Sequence, residues 1–449
     1  MKRLQTFLIA VLLGSPLAAQ TPARRLVMIS VDGLIAATVR NAEKLGVRLP
    51  NLTEFRDKGA VSAGLIGVFP TVTYPSHTTM ITGRRPGEHG IVSNTLFDPE
   101  HVMNGAWYWY SDLIKAPTLW QAARQAGLTT AAVGWPVTVG APIDYNFPEY
   151  GAMKTLNEAL LYRALTTPGL LAEFEKAKGP MQASGEHFDD LLSTMAAYLV
   201  ERRKPHLLLV HLVDLDHEQH LHGPESPEAL RTLEHIDAAI GRIRQAVDSA
   251  GVGGETRWMV VSDHGFFPVE KAFHPDAFLD SLGLGPVPGK PKTWRVSPHA
   301  AGGSIAFVAR DATDVEAQTI VTRALKNLKD EGAFGIDRIV NQAELSKMQA
   351  YPHAFVAISL SSGWTAGSER GGPWVTPSGE TRGMHGYLPG PPALDSTFMA
   401  FGPGIESRHL PRGELTGVAA TAAQLLGIPF PSAGGPGLLG QPSGAPSKR

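Results

Sequence analysis

The 449-residue chain contains no cysteine, which excludes disulfide bonds, thiolate nucleophiles and cysteine-ligated metal sites. It also lacks an excess of charge of either sign, because 40 Lys and Arg residues stand against 42 Asp and Glu residues. The pI of about 6.8 therefore gives no reason to expect nucleic acid as a partner. The 43% of apolar residues is too high for a disordered chain. Neither the 48 Gly nor the 35 Pro residues follow a three-residue period, which excludes collagen. What is left is a globular protein of one large domain or two smaller ones.

The first twenty residues predict an export signal. Lys2 and Arg3 precede the apolar run Phe7–Leu13, and Ala18 and Ala19 supply small residues for cleavage. The run is too short for a permanent membrane anchor, and no later segment reads as a transmembrane helix. We therefore expect a signal peptide at 1–20 and a periplasmic or secreted mature protein.

Short, almost continuous apolar runs alternate with helical patterns along the chain. Such runs are typical of strands that are buried on both faces of a parallel sheet. The runs are Arg25–Val31, Thr130–Gly134, His206–Val213, Arg257–Val261, Ser304–Val308 and Thr397–Phe401, and the helical patterns are Pro117–Ala126, Pro227–Ala250, Val315–Leu328 and Val418–Leu426. The alternation predicts a doubly wound α/β fold with a mostly parallel central sheet flanked by helices.

The same patterns suggest how the chain divides into domains. One domain is expected over 21–430. Within it, residues 266–382 carry strand and helix signals of their own, including Ala354–Leu360, and predict a smaller α/β subdomain that is inserted in the main sheet or packed beside it. Residues 431–449 are rich in Pro, Gly and Ser and predict a flexible tail.

Asp and His residues follow several of the predicted strands. These residues are Asp32, Asp214, Asp216, His217, His220, Asp263 and His264, and His385 lies in a later Gly-rich segment. Ligands of an open α/β sheet bind at the carboxyl ends of its strands, so these side chains are expected to converge. Taken singly, each also fits a turn or a capped loop. Taken together, Asp and His without Cys favour zinc, with Mn or Fe as alternatives.

A second candidate group surrounds Thr73. Pro75 suits a first helical turn, which places Thr73 at or just before a helix N-terminus. The backbone N–H groups and the dipole favour an anion at such a position. Thr73 is then either a nucleophile, activated as an alkoxide on a metal, or simply the helix N-cap, and its spacing alone favours neither.

These segments together resemble the nucleotide pyrophosphatase/phosphodiesterase family of the alkaline phosphatase superfamily. The resemblance lies in ISVDGL, FPTVTYPSHTTMITGRRPGEHGIVSN, the WP of VGWPVT, DLDHEQHLHGP, VVSDHG and MHGYLP, which follow one another in this order. It implies an alkaline-phosphatase-like fold. It also implies hydrolysis of phosphodiester or pyrophosphate bonds in a small-molecule substrate, such as a nucleotide, through a covalent phospho-threonine at a site with two Zn²⁺ ions.

The resemblance also implies roles for individual residues. Thr73 matches the nucleophile, Asn94 the side chain that hydrogen-bonds a phosphoryl oxygen, and Tyr74 an aromatic residue beside the substrate. His211 stands where relatives often carry a Tyr that shapes the nucleoside site, and it is the third predicted substrate-binding residue after Tyr74 and Asn94. The implied ligands are Asp32, Thr73, Asp263 and His264 for one zinc, and Asp216, His220 and His385 for the other.

The sequence departs from the family pattern at a few positions. Leu215 and Gln219 replace a Pro and a Gly around Asp216, and Ser76 replaces a common Asn. The Asp216-to-His220 spacing of the family is kept. The departures leave a preference for nucleotides open.

Other functions remain compatible with the sequence. A phosphomonoesterase (alkaline phosphatase) or a phosphonate or sulfate ester hydrolase would use a similar metal site. A monoesterase needs cations for the extra phosphate charge, whereas Arg84 and Arg85 are expected at a solvated helix end. An exported zinc-binding protein without enzymatic activity would have no need of the Thr73 hydroxyl.

Overall fold

The computed structural model describes residues 24–100, 102–103, 106–151, 156–181, 188–287 and 290–440. The predicted signal peptide at 1–20 and residues 441–449 of the predicted tail lie outside the described residues. The strands are β1 (Arg25–Val31), β2 (Ala60–Ser62), β3 (Leu65–Ile66), β4 (Thr130–Val133), β5 (Tyr145–Phe147), β6 (Leu207–Leu212), β7 (Thr256–Val261), β8 (Phe267–Phe273), β9 (Val296–Ala301), β10 (Ser304–Ala309), β11 (Ile336–Asn341), β12 (Val356–Leu360), β13 (Gly363–Ala366), β14 (Val375–Pro377), β15 (Gly383–Met384), β16 (Phe398–Phe401), β17 (Arg408–Leu410) and β18 (Gly413–Glu414). The helices are α1 (Ala36–Arg40), α2 (Ala42–Leu45), α3 (Pro50–Lys58), α4 (Thr73–Thr82), α5 (Pro86–His89), α6 (Leu119–Gln125), α7 (Leu156–Leu165), α8 (Leu170–Lys178), α9 (Phe188–Arg203), α10 (Asp214–His222), α11 (Pro227–Ser249), α12 (Pro275–Ser281), α13 (Val315–Glu331), α14 (Gln342–Met348) and α15 (Gly417–Leu426).

The central sheet has eight strands in the order β17-β2-β16-β7-β1-β6-β4-β5. β1 pairs in parallel with both β6 and β7, and β6, β4 and β5 continue the parallel arrangement. Only β16 runs against its neighbours β7 and β2. The mostly parallel sheet of the predicted α/β fold is therefore confirmed.

Helices cover both faces of this sheet because the apolar residues of its inner strands alternate between two cores. In β1, Val27 and Ile29 pack on the side of α9 and α11. Leu26 and Met28 point the other way, into a core shared with α4, α6 and α15. A strand with a core on each face has no solvent side, which explains the nearly continuous apolar run in its sequence.

The predicted elements of the central sheet agree with the structure to within about two residues, which is the usual uncertainty of element ends. One prediction is wrong: Pro117 does not open α6. Thr118 is the N-cap instead, and its hydroxyl and backbone form a capping box with Gln121. Pro117 precedes the helix and only leads the chain into it.

The chain between β7 and β16 builds two smaller sheets away from the central one. One is a four-stranded antiparallel sheet in the order β11-β12-β10-β9, and the other joins β13, β8 and β14, with β15 paired to β8. α12 and α13 pack on this region around a separate core that includes Phe273, Phe278, Phe307 and Val321. The predicted subdomain boundaries, 266–382, remain a prediction.

Two further observations concern the surface. Residues 431–440 have no helix or strand and lie against α15, where the Leu438 N–H donates to the Thr421 hydroxyl. Within the described ranges, no helix is both long enough and apolar enough to cross a bilayer.

Candidate active site

The carboxyl ends of the three adjacent strands β7, β1 and β6 deliver the acidic residues of one cluster. Asp32 directly follows β1, Asp263 comes just after β7, and α10 begins after β6 and carries Asp216 and His220. His385 follows β15, in the segment that returns from the smaller sheets. The sheet order therefore accounts for the convergence of Asp32, Asp216 and Asp263.

Gly33 and Gln219 hold the loop after β1 tightly. Gly33 has a φ of +70°, and its N–H donates to Asp263 Oδ1 at 3.1 Å. A Cβ at this position would lie 2.6 Å from the Phe266 ring, so only glycine fits without rearrangement. Gln219 Nε2 donates to the Gly33 carbonyl at 2.9 Å. Gln219, one of the departures from the family pattern, thus anchors α10 to the loop that presents Asp32.

His264 lies at the centre of the cluster. Its Nε2 is 3.3 Å from Asp32 Oδ1 and 3.1 Å from Asp263 Oδ2. The same nitrogen is 4.0 Å from Asp216 Oδ1, which lies 3.6 Å from His385 Nε2. Two groups of potential metal ligands, Asp32–Asp263–His264 and Asp216–His264–His385, therefore share one histidine.

His220 joins the second group through Asp216. Its Nε2 lies 3.4 Å from Asp216 Oδ2, and its Nδ1 lies 2.9 Å from the Gly383 carbonyl. The backbone carbonyl therefore accepts from Nδ1 and leaves Nε2 to face the cluster. The structure thus brings together all seven residues that were predicted as metal ligands, since Thr73 Oγ1 lies 3.5 Å from His264 Nε2.

The cluster fits a divalent cation. Buried Asp32 Oδ1, Asp216 Oδ1 and Asp263 Oδ2 have no hydrogen-bond partner among the described residues. Buried carboxylate oxygens without donors are costly, and several of them facing one point are the donor set of a metal site. Asp oxygens and His nitrogens suit zinc, and they also suit Mn or Fe.

Burial and like charges perturb the acid–base properties of the same groups. Burial, reinforced by Asp263 and Asp216, raises the pKa of Asp32 well above its ordinary value. Burial also raises the pKa of Asp263, to about 6. Among the histidines, burial lowers the pKa of His385 to about 4 and that of His264 far below its ordinary value. At neutral pH these histidines are therefore neutral, which is the form that binds metal.

Removal of metal is expected to leave Asp263 with a contribution to stability that falls as pH rises. Because the pKa of Asp263 is higher in the folded than in the unfolded state, its contribution is complete below pH about 4 and is lost as pH rises through about 6. Between pH 5 and pH 8 this loss amounts to about 1 kcal/mol. Unfolding free energies of the chelated protein at pH 5 and pH 8 test this expectation. The chelated Asp263→Asn variant is the control and should lose less, and an equal loss in both proteins would contradict the assignment.

Thr73 is the first residue of α4, which is buried along its whole length. The N-cap position belongs to Val72, and no side chain caps the helix. The Thr73 hydroxyl therefore does not serve as a cap and faces His264 instead. Of the two alternatives left open by the sequence, this placement favours the nucleophile.

Asn94 lies beside the start of α4. Its Oδ1 accepts a hydrogen bond from the Tyr74 N–H at 2.9 Å. With the oxygen fixed in this way, the amide nitrogen is the end of the side chain that remains available to donate. The orientation suits a donor to a phosphoryl oxygen.

Tyr74 is fully buried, although the resemblance implies an aromatic residue beside the substrate at this position. Its ring is covered by Trp107, with ring centroids 5.1 Å apart, and by Trp109 at 5.8 Å. The two tryptophans stack on each other, and Trp107 is 37% exposed. In this conformation Trp107 is the exposed ring of the group, and the predicted contact of Tyr74 with substrate remains a prediction.

His211 is buried behind Asp32. Its Nε2 lies 3.0 Å from Asp32 Oδ2, and the ring is 1% exposed. Its contacts are with protein groups, so the predicted role of His211 in substrate binding also remains a prediction.

Comparison with known proteins agrees with this geometry. A family model described as type I phosphodiesterase / nucleotide pyrophosphatase matches residues 26–388, which include every residue of the cluster. The chain belongs to the type I phosphodiesterase/nucleotide pyrophosphatase family.

Curated relatives in this phosphodiesterase family are distant. Human ectonucleotide pyrophosphatase/phosphodiesterase family member 1 is 22% identical over 262 residues, which are 56% of this chain and 24% of the human protein. Venom phosphodiesterase 2 of Crotalus adamanteus is 24% identical over 251 residues, which are 54% of this chain and 26% of that protein. The chain thus spans about a quarter of the length of these relatives.

Solved structures of the family share the fold. Murine ectonucleotide pyrophosphatase/phosphodiesterase 5 superposes with a TM-score of 0.62 at 18% identity, over 91% of this chain and 96% of the murine one. The murine protein has also been solved as an inactive threonine-to-alanine variant in complex with AMP.

Two residues near the site, Glu149 and His77, were not among the site residues predicted from the sequence of this phosphodiesterase family member. Glu149 Oε1 accepts from the Tyr74 hydroxyl at 3.0 Å, and Glu149 Oε2 lies 3.4 Å from His211 Nδ1. His77 is fully buried, with its Nδ1 2.8 Å from the Thr73 carbonyl. Glu149 follows β5 in a loop without a strand-end pattern of its own, so no sequence signal pointed to it.

Proposed function

We propose that this protein is an exported, metal-dependent hydrolase of phosphodiester or pyrophosphate bonds, nucleotides among its substrates, that works through a covalent phospho-threonine. The observation that carries the proposal is the position of Thr73. Thr73 is the first residue of a buried helix, and its hydroxyl faces His264 in a cluster where Asp32, Asp216 and Asp263 each have one oxygen without a hydrogen-bond partner among the described residues.

In this proposal the cluster holds two divalent cations, zinc by preference. Asp32, Thr73, Asp263 and His264 would hold one ion, and Asp216, His220 and His385 would hold the other. When bound, such ions offset the negative charge of the phosphate and favour ionised oxygens at Thr73 and at the leaving group.

Thr73 performs the covalent step. Its Oγ1 releases its proton to solvent and, as the alkoxide, forms a bond to phosphorus while the bond from phosphorus to the leaving oxygen breaks; the leaving group takes the electron pair and is protonated by solvent. Water then attacks the same phosphorus, breaks the bond to Thr73 and releases the phosphorylated product. The hydroxyl of Thr73 regains its proton at the end of the cycle.

Asn94 and the start of α4 stabilise the phosphoryl oxygens in both steps. The Tyr74 N–H is occupied by Asn94, the Ser76 N–H donates to the Val72 carbonyl, and Pro75 has no N–H. The Thr73 N–H and the Asn94 amide nitrogen are then the donors that face the phosphoryl group. Donors fixed in advance are worth most where negative charge develops.

A diester suits the site better than a monoester, because the nearby arginines are engaged elsewhere. Arg84 Nε donates to the Ser432 carbonyl, and Arg85 Nη2 donates to Glu414 at 2.6 Å. Both residues follow the C-terminal end of α4, whereas Thr73 lies at its N-terminal end. Neither guanidinium is placed to offset the extra charge of a monoester.

The relatives support the same reaction. Proteins described as nucleotide pyrophosphatases and as venom phosphodiesterases match the chain, and a threonine-to-alanine variant of a structural neighbour is inactive. Export rests on the signal sequence predicted at 1–20. The catalytic domain is proposed to extend over 21–430, with 266–382 as its subdomain.

A pair of chromogenic esters tests the proposal. Bis(p-nitrophenyl) phosphate is expected to be hydrolysed with a kcat/KM at least about tenfold above that of p-nitrophenyl phosphate, which corresponds to about 1.4 kcal/mol of transition-state stabilisation. Arg85→Ala is the control and should leave this ratio unchanged. Faster hydrolysis of the monoester would overturn the diester assignment in favour of a phosphomonoesterase, and zinc binding without hydrolysis of either ester would favour a binding protein.

A further inference from the structure

His211 contacts a proposed metal ligand from the side that faces the protein interior. It lies in β6 directly beside Ser30 of β1, two residues before Asp32. Its Nε2 is 3.0 Å from Asp32 Oδ2, whereas the other oxygen of Asp32, Oδ1, is the one that faces His264. The two oxygens of Asp32 therefore have different surroundings, one internal and one in the cluster.

Hydrogen-bond acceptors also face the second nitrogen of His211. Its Nδ1 lies 3.1 Å from the Gly134 carbonyl oxygen and 3.4 Å from Glu149 Oε2. Carbonyl and ionised carboxylate oxygens only accept, so both ring nitrogens of His211 face acceptors, and both donate when the ring is the imidazolium. A flip of the ring by about 180° would put carbon atoms where the two nitrogens now face acceptors. The contacts at both nitrogens therefore favour a single orientation of the ring.

Glu149 also contacts Tyr74, the neighbour of Thr73 in the sequence. The Tyr74 hydroxyl donates to Glu149 Oε1 at 3.0 Å, and Tyr74 is the residue after the proposed nucleophile. A continuous chain of contacts therefore runs from Asp32 through His211 and Glu149 to Tyr74. Of the four side chains in this chain of contacts, only that of Glu149 is not almost completely buried.

We propose that His211 is a positioning residue for the metal site: its Nε2–H fixes one oxygen of Asp32, so that the other is presented to the cation. This inference rests on the proposed metal-dependent function. Residues that hold a metal ligand from behind typically change metal affinity 10- to 100-fold when they are removed. His211 itself touches neither the substrate nor the cation in this assignment.

Substitution of His211 by Gln or by Asn tests whether the hydrogen bond to Asp32 matters, or only the presence of a polar side chain at this position. In His211→Gln the amide nitrogen can take the place of Nε2 and still donate to Asp32. In His211→Asn the shorter side chain places its amide near the position of Nδ1, where it contacts Gly134 but does not reach Asp32. His299→Leu is the control, since His299 is a buried histidine whose Nε2 contacts the Thr95 carbonyl, outside this chain of contacts.

The measurement is the zinc affinity of each metal-stripped protein, titrated against a chromophoric chelator, with thermal melting as the check on folding. We expect His211→Asn to lose about 10- to 100-fold in affinity, and His211→Gln and His299→Leu to stay within about threefold of the unmodified protein. The visible spectrum of the Co²⁺-substituted His211→Asn protein should also change, because the geometry at Asp32 changes.

The outcomes separate this inference from the proposed function. Equal affinities of the Asn variant and the unmodified protein, or equal losses in the Asn and Gln variants, overturn the role of His211 alone. If the unmodified protein does not bind zinc, the proposed function is overturned and the inference with it. If the Asn variant does not fold, Glu149→Ala replaces it, and an affinity for zinc identical to that of the unmodified protein would overturn the chain of contacts.

Discussion

Replacement of Thr73 by alanine is expected to lower kcat for phosphodiester hydrolysis by at least about 10⁴-fold, while the protein stays folded and retains most of its metal. The reason is that the Thr73 hydroxyl, which faces His264, forms the covalent intermediate in the proposed mechanism, and removal of a nucleophile costs several orders of magnitude. The other proposed ligands of the same cation, Asp32, Asp263 and His264, remain in place. Steady-state kinetics and metal analysis of the same preparation give both readouts.

Two variants on the same helix provide the controls for this experiment. Thr82→Ala removes a buried hydroxyl that donates to the Thr78 carbonyl at the far end of α4, and it should leave kcat nearly unchanged. Thr73→Ser keeps a hydroxyl at the N-terminus and should retain much of the activity lost in Thr73→Ala. If Thr73→Ala hydrolyses the diester as fast as the unmodified protein, Thr73 is not the nucleophile.

Substitution of Asp216 by asparagine is expected to remove one bound cation and to lower hydrolysis by about 10³-fold. Asp216 contacts both His220 and His385. It is also the only carboxylate in the second group of proposed ligands. Without it, His220, His385 and the shared His264 bring no negative charge to offset that of the cation. Metal analysis should therefore show the loss of about half of the bound metal, with the Asp32–Asp263–His264 group still loaded.

Glu218→Gln is the matched control for this prediction. It also removes one carboxylate from α10, but Glu218 lies 3.5 Å from His222 rather than in the cluster. Full metal content and activity are expected in the control. If Asp216→Asn retains the full metal content, the second cation does not bind where we propose.

The sequence predicted the central sheet well because burial on both faces leaves a clear pattern. The run Arg25–Val31 coincides with β1, and the helical pattern Pro227–Ala250 ends one residue beyond α11. In both cases the apolar residues that made the prediction are those that pack in the cores. The start of α6 was misplaced because Pro117 and Thr118 are both common helix-start residues, and only the structure shows which one caps the helix.

The residues of the metal cluster could also be predicted from the sequence, but the burial of the neighbouring side chains could not. The positions of Asp32, Asp216 and Asp263 at strand ends and in family motifs predicted that they share one site. The order of the strands in the sheet places them at the same edge. Tyr74 and His211 were expected to face the substrate, yet both are buried. Trp107 covers Tyr74 from a segment without regular secondary structure, and such a contact has no periodic signature in the sequence.

The origin of His385 has a consequence for how the molecule folds. His385 Nδ1 lies 3.1 Å from the Thr71 carbonyl, although 314 positions separate the two residues along the chain. Closing so large a loop has an entropic cost, and contacts of this range form late when a chain acquires its structure. The Gly33–Asp263 hydrogen bond also spans 230 positions, so both halves of the cluster depend on contacts between distant parts of the chain and the site is complete only once the whole domain has folded.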